Sequence, residues 1–147
     1  MHRYIAIGAA ATALLWPPAA EAQSSSGEVA GPATGGFEVI LDVRYRNGKP
    51  KVVEAFKFRR VAMTCVVGAP FRTKSTAPFG PMLVNREWRF GRVFTNDGNN
   101  FDGATVIRGE FATKKRVSGT LKITGDYPNA GYEGCTSGRL EWSVTLD

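Results

Sequence analysis

The amino-acid sequence predicts an all-β fold: an antiparallel β-sandwich of jelly-roll type with about seven or eight strands and one disulfide. Apolar and polar residues alternate in several segments after residue 36, which is the period of half-buried strands. Clusters of Asn, Asp and Gly separate these segments and favour turns. No stretch has apolar residues at helical spacing over a useful length. A closed barrel would show the same alternation and is the alternative to the sandwich.

Residues 1–22 predict a secretory signal peptide. A basic start precedes an apolar run, residues 4–16, and the small residues around Ala22 fit a cleavage site. The alternative is a membrane anchor, but the run is shorter than the roughly 20 residues that a membrane-spanning helix needs. Cleavage would remove His2, the only histidine of the chain.

The remainder predicts a linker followed by one domain. Ser, Gly and Pro dominate residues 23–36, a composition typical of a flexible linker. Residues 37–147 match the usual size of a single domain, here the β-sandwich. We therefore expect an exported protein, periplasmic or extracellular, with no transmembrane segment after cleavage. The sequence indicates no oligomeric state.

The first half of the domain predicts a hairpin, a central strand and a long loop. Residues 37–45 and 51–58 alternate apolar and polar side chains, and Asn47-Gly48 between them is typical of a hairpin turn. Both faces are apolar in residues 61–67, which indicates a strand in the centre of a sheet. Residues 68–81 contain several prolines and glycines and predict a loop.

The second half predicts further strands joined by polar turns. A strand or two lie within residues 82–94, a tight turn follows at 96–100, and strands at 104–111 and 116–124 are joined by the turn 113–115. The last strand has the clearest pattern. Its inward side chains are Leu140, Trp142, Val144 and Leu146.

The two cysteines, Cys65 and Cys135, predict a disulfide. Cysteines of a small exported domain usually pair, because the compartment is oxidising. The alternative is a reactive thiol, but the chain has no Cys-x-x-Cys motif and no histidine after cleavage to lower a thiol pKa. Such a bond would connect an early strand to the segment before the last one.

Three short motifs occur in the second half of the domain: Ile107-Arg108-Gly109-Glu110-Phe111, Val117-Ser118-Gly119-Thr120-Leu121, and residues 135–142, which run from Cys135 to Trp142. They resemble small uncharacterised exported bacterial β-domain proteins. The resemblance implies a sandwich with a disulfide and no particular activity. Gly109 and Gly119 within strands also indicate either bulges or close approach of a large side chain from the opposite sheet, for which Trp142 is the candidate.

Several kinds of chemistry are excluded or disfavoured. Without histidine, Ser-His-Asp and Cys-His sites and the usual histidine-containing zinc sites are excluded. The chain has no phosphate loop and no dinucleotide motif, so no cofactor is expected. No metal is expected either, since Asp97, Asn99 and Asp102 fit a plain turn better than a calcium loop. A carboxylate-dependent glycan hydrolase is still open, and its candidate acids are Glu110, Asp126, Glu133 and Glu141.

The candidate ligand-binding residues are arginines and aromatics. They are Arg86, Trp88, Arg89 and Arg92 in one segment and Tyr127 and Tyr132 in another. Arginine binds anionic groups through forked hydrogen bonds, and aromatic rings offer flat faces to a ligand. The alternative is that the aromatics are core residues and the arginines face solvent.

The positive net charge of the chain, like these arginines, favours an anionic partner. The charge is +6 for the full chain, and loss of residues 1–22 leaves it unchanged because Arg3 and Glu21 are both removed. A basic surface favours anionic partners, which outside the cell would be an anionic glycan or an envelope or protein surface, with nucleic acid disfavoured. The sequence therefore predicts a non-enzymatic binding module for a glycan or protein ligand. The alternatives are a carboxylate-dependent glycan hydrolase and a purely structural envelope protein.

Overall fold

The computed structural model describes residues 24–29 and 36–146. Eleven β-strands and one short 3-10 helix occur in these residues. The strands are β1 (Ser24–Val29), β2 (Glu38–Arg46), β3 (Lys49–Arg59), β4 (Val61–Met63), β5 (Phe71–Thr73), β6 (Met82–Leu83), β7 (Arg89–Asn96), β8 (Asp102–Phe111), β9 (Arg116–Tyr127), β10 (Tyr132–Thr136) and β11 (Leu140–Thr145), with the helix Pro128–Ala130 between β9 and β10. No helix among the described residues is long and apolar enough to cross a membrane.

The strands form three antiparallel sheets. The first has the order β1-β2-β3-β6, the second has the order β10-β9-β8-β7 with β11 also paired to β9, and β4 pairs with β5 alone. The prediction of an all-β chain with one disulfide is confirmed. The strands are more numerous than predicted because β1, β5 and β10 also pair. β5 and β10 are short and have at most one buried side chain each, so alternation does not reveal them.

The predicted hairpin is present as β2 and β3. Asn47 and Gly48 form its turn with φ of 52° and 66°. Positive φ at both central residues is the geometry that matches the twist of two antiparallel strands, and Asn followed by Gly adopts it readily. The inward side chains of β2 alternate as expected: Val39, Leu41 and Val43 are buried.

Strand β1 lies inside the segment for which the sequence predicts a linker. It pairs antiparallel with β2 from Ser24 opposite Arg44 to Val29 opposite Val39. The first sheet therefore extends into part of residues 23–36. The predicted signal peptide, residues 1–22, lies outside the described residues, and the domain boundaries stay predictions.

The predicted central strand over residues 61–67 is wrong beyond Met63. Only β4 is regular, and it pairs with β5 instead of two neighbours. Val66 is 86% exposed and Val67 is 49% exposed. An apolar run is therefore not sufficient to predict a buried strand. After Met63 the chain no longer pairs with β5, and single backbone bridges, such as that of Thr64 with Thr136, connect it to β10.

The disulfide joins the end of this segment to β10. Cys65 bonds to Cys135, and the flanking Thr64 and Thr136 exchange backbone hydrogen bonds of 3.0 and 2.8 Å. The predicted pairing of the two cysteines is therefore confirmed. Covalent and backbone links together hold the segment after β4 against the edge of the second sheet.

The buried side chains of both larger sheets belong to one hydrophobic core. Phe56 on β3 meets Trp142 on β11 edge to face, with ring centroids 5.4 Å apart. Trp142 also covers Gly119, where a Cβ would lie 2.6 Å from its Cζ2, but it does so from the neighbouring strand of the same sheet. The prediction that Trp142 approaches from the opposite sheet is wrong, because Trp142 is paired with Gly119 on the adjacent strand of the same sheet. Gly109 is covered in the same way by Phe90 on β7.

Candidate ligand-binding cleft

A cleft of about 680 Å³ opens at the end of the second sheet's core-facing surface. Its floor includes one row of paired residues across three strands: Phe94 on β7, Thr105 on β8 and Ile123 on β9. The next row toward the centre of this face includes Ile107 and Leu121, which are buried. We call this site the aromatic cleft; Phe58, Phe79, Phe101 and Tyr127 also line it, with residues 72–78 at one side.

One wall of the aromatic cleft is a chain segment fixed to β3. Phe79 and Phe56 exchange backbone hydrogen bonds of 2.8 and 2.9 Å. The hydroxyl of Ser75 accepts a hydrogen bond of 3.0 Å from the backbone N–H of Phe58. These links preform the wall, so that a ligand would not have to order it on binding.

Aromatic rings line this wall and the opposite one. Phe79 stacks on Phe58, with centroids 5.9 Å apart, and contacts Phe94 at 4.9 Å. On the other side Phe101 and Tyr127 have centroids 5.1 Å apart. Rings in contact hold one another in place, which leaves fixed apolar surfaces around the opening.

Polar groups of the aromatic cleft are neutral or basic. No carboxylate occurs among the described residues that line it. Burial raises the pKa of the Tyr127 hydroxyl above its ordinary value of 10.0, and a hydrogen bond with Thr73 opposes this effect. The hydroxyl is therefore protonated at neutral pH. At the rim, Arg72 donates a hydrogen bond of 2.7 Å to the carbonyl of Arg60, and Lys74 is exposed.

Thr105 is the one buried polar residue among those described, at 2% exposure. No hydrogen bond joins its side chain to another group in the described part of the chain. The fully enclosed side-chain nitrogen or oxygen that lacks a partner there is Nε1 of Trp142, so the Thr105 hydroxyl is open to the cleft. An accessible hydroxyl without a protein partner can bind a ligand.

The four candidate residues of the arginine-rich segment have different surroundings. Arg86 is exposed in the turn before β7 and does not line a cleft. Trp88 is half-buried against the core and has φ of 61°, held by hydrogen bonds around Asn85. Arg89 pairs with Glu110 at 3.1 Å.

Arg92, the last of the four, lies over the ring of Phe94, with its guanidinium carbon 5.3 Å from the centroid. This contact places Arg92 close to the edge of the aromatic cleft. A recognition strip made of all four side chains stays a prediction.

The two candidate tyrosines differ in their position. Tyr127, at the end of β9, lines the aromatic cleft. Tyr132, at the start of β10, packs beside Gly68, where a Cβ would be 2.8 Å from its Cγ, and against Phe71 at 5.3 Å. Phe71 contacts both tyrosines and connects them, since its centroid is 4.9 Å from that of Tyr127.

The candidate acids of a hydrolase are distributed over separate places. Glu110 is paired with Arg89, and Asp126 accepts a hydrogen bond of 2.7 Å from the backbone N–H of Gly134. Glu133 and Glu141 are exposed on β10 and β11. No group of three or more His, Cys, Asp or Glu side chains that could hold a metal occurs within the described ranges.

Sequence reasoning missed most of the aromatic cleft. Its residues come from β3, β5, β7, β8 and β9, from the segment after β5 and from the loop between β7 and β8. Each aromatic among them also fits a core position. Thr105 offered the only local signal, because it stands where the alternation of β8 calls for an apolar residue. Comparison with protein-family models, with curated proteins and with solved structures finds no match for this chain.

Proposed function

We propose that this chain is an exported, non-enzymatic binding module whose aromatic cleft holds sugar rings of a glycan. The observation that carries the proposal is the row of Phe94, Thr105 and Ile123 at an opening of the core. An apolar surface with one accessible hydroxyl, that of Thr105, fits a ring that has C–H groups on one face and hydroxyls around it.

The size and lining of the cleft support a small, partly apolar ligand. Sites for small ligands are concave, largely apolar and about 300–1,000 Å³ in volume, and the cleft is about 680 Å³. Asn96, Asn100 and Ser75 add amide and hydroxyl groups to its lining. Such groups can fix the orientation of a sugar by hydrogen bonds to its hydroxyls.

The distribution of acids favours binding over hydrolysis. Glycoside hydrolysis needs two carboxyl groups about 5–10 Å apart on either side of the scissile bond. The described lining of the cleft has none. A carboxylate-dependent hydrolase is therefore the weaker proposal.

The proposal also includes an arrangement of the sheets: the two larger sheets pack face to face as a β-sandwich of jelly-roll type. The contact of Phe56 with Trp142 and the shared core support it, since facing sheets are expected to interdigitate their inner side chains. The aromatic cleft would then be an open end of the sandwich. Export to the periplasm or the external medium fits the disulfide.

Replacement of Thr105 by valine tests the proposed site. Thr105→Val should weaken binding of glycans on an array, or of the best-bound oligosaccharide in calorimetry, by about tenfold, because one hydrogen bond to the ligand is lost. Stability should change by less than about 1 kcal/mol, since the hydroxyl has no hydrogen-bond partner in the described part of the chain.

The matched control is Thr145→Val, which makes the same change at an exposed position of β11 and should leave binding unaltered. Equal affinities of both variants and the wild type would contradict the proposal. So would release of cleaved sugars from a bound oligosaccharide, which would indicate a hydrolase. Binding of no glycan at all would favour a protein ligand or a structural role.

A further inference from the structure

The outer face of the second sheet carries three arginines around a shallow depression of about 560 Å³. Arg89 comes from β7, Arg108 comes from β8, and Arg139 precedes β11. Arg92 also borders the depression, but its paired residue Ile107 is buried, so Arg92 belongs to the core-facing surface. Glu110 is the one acid among the described residues that line it. We call this surface the basic trough.

Strand pairing, not sequence proximity, assembles these side chains. Arg89 is opposite Glu110, and Arg108 is opposite Gly91, two positions further along β7. Diagonal neighbours on an antiparallel pair are about 7–8 Å apart at the backbone. Gly91 has no side chain, and a Cβ there would be 3.2 Å from Cγ of Arg108. The stem of Arg108 therefore occupies the space beside Gly91.

Most of the positive charge in the basic trough is not neutralised by the protein. Arg89 is paired with Glu110 and Glu87, at 3.1 and 3.5 Å. Arg108 and Arg139 are exposed and form no hydrogen bond or ion pair within the described part of the chain. Nearby, Glu141 on β11 is exposed and so is Lys122 on β9, so these two flanking charges offset each other.

The chemistry of the surface indicates which kind of anion it fits. Ser118, Thr120 and the backbone of Gly119 form its polar floor. Val93, 55% exposed, is the one large apolar side chain in it that is strongly exposed, so little could insert into a bilayer. Phe90 is buried and cannot stack with a nucleic-acid base. A hydrated polymer with regularly spaced anionic groups suits this polar floor and the arginines around it.

We propose that the basic trough is a second binding site, which takes an acidic polysaccharide carrying carboxylate or sulfate groups. Arg108 and Arg139 bind its anionic groups through forked hydrogen bonds. Ser118 and Thr120 can bind its hydroxyls. This site is separate from the aromatic cleft, and neither proposal depends on the other.

The double variant Arg108→Ala/Arg139→Ala tests this site, with heparin as the probe. Surface plasmon resonance at about 0.15 M salt should show wild-type binding that weakens further as salt is added. The double variant should bind at least about tenfold more weakly, since two charge-assisted contacts are lost. Its melting temperature should stay unchanged because both side chains are exposed and unpaired.

The matched control is Arg46→Ala/Arg116→Ala, which removes the same charge from exposed positions outside the trough. It should weaken heparin binding by less than about threefold. Equal weakening in both double variants would mean that only net charge matters and would overturn the proposal. Absence of heparin binding, or binding to anionic lipid vesicles and not to heparin, would also overturn it. Thr105→Val should bind heparin normally.

Discussion

At the scale of single residues, two glycines determine how the second sheet packs against the core. Gly109 and Gly119 are paired neighbours on β8 and β9, and the rings of Phe90 and Trp142 lie over them from the strands on either side. The two rings approach to 6.3 Å between centroids. Side chains at either glycine would displace a ring from the core. The sequence indicates that these glycines make room, but it does not indicate the strand from which each ring comes.

Replacement of Gly109 by alanine should destabilise the domain by about 1–3 kcal/mol, because the added methyl group overlaps the ring of Phe90. The penalty should fall by about 1 kcal/mol in a Phe90→Ala background, where no ring is displaced. Urea unfolding of the two single variants and the double variant measures this coupling.

Gly119 is the control for this cycle. A methyl group there would meet the backbone carbonyl of Arg108 as well as Trp142. Truncation of Trp142 leaves the carbonyl in place, so most of the Gly119→Ala penalty should remain in a Trp142→Ala background. Equal penalties for Gly109→Ala with and without Phe90 would contradict the assignment of the ring contact.

At the scale of elements, the long strands were predictable and the short ones were not. β2, β3, β8, β9 and β11 each have a periodic pattern with buried side chains on one face. The segment from β4 to β6 has little such pattern, and its position depends on distant partners: the disulfide, the bridges to β10 and the links of Phe79 and Ser75 to β3. Local alternation contains no information about such partners.

Removal of the disulfide should therefore affect stability strongly. Its cysteines are 70 residues apart in sequence, and closing a loop of that length stabilises a domain by about 4 kcal/mol through the unfolded chain. Cys65→Ser/Cys135→Ser should unfold at a correspondingly lower urea concentration, and a reductant should lower the midpoint of the wild type alone. A wild type whose thiols both alkylate in the native state would contradict the bond.

At the scale of the whole molecule, the surfaces proposed for binding lie on opposite faces of the second sheet. The aromatic cleft is on the surface that carries the buried side chains, and the basic trough is on the other surface. Charge and composition predicted an anionic partner, and arginines and aromatics were the expected residue types. Which residues converge could not be predicted, because strand register brings Arg108 and Arg139 together on one face and places Thr105 beside Phe94 on the other.

The most direct test of the proposed function locates a bound glycan on the protein. With the oligosaccharide that binds best on a glycan array, titration of ¹⁵N-labelled protein should shift the amide resonances of Phe94, Thr105 and Ile123 and leave those of the hairpin turn at Asn47 unchanged. The sugar should be recovered intact. Shifts confined to residues outside the aromatic cleft, or no saturable shifts with any array-selected oligosaccharide, would contradict the proposed function.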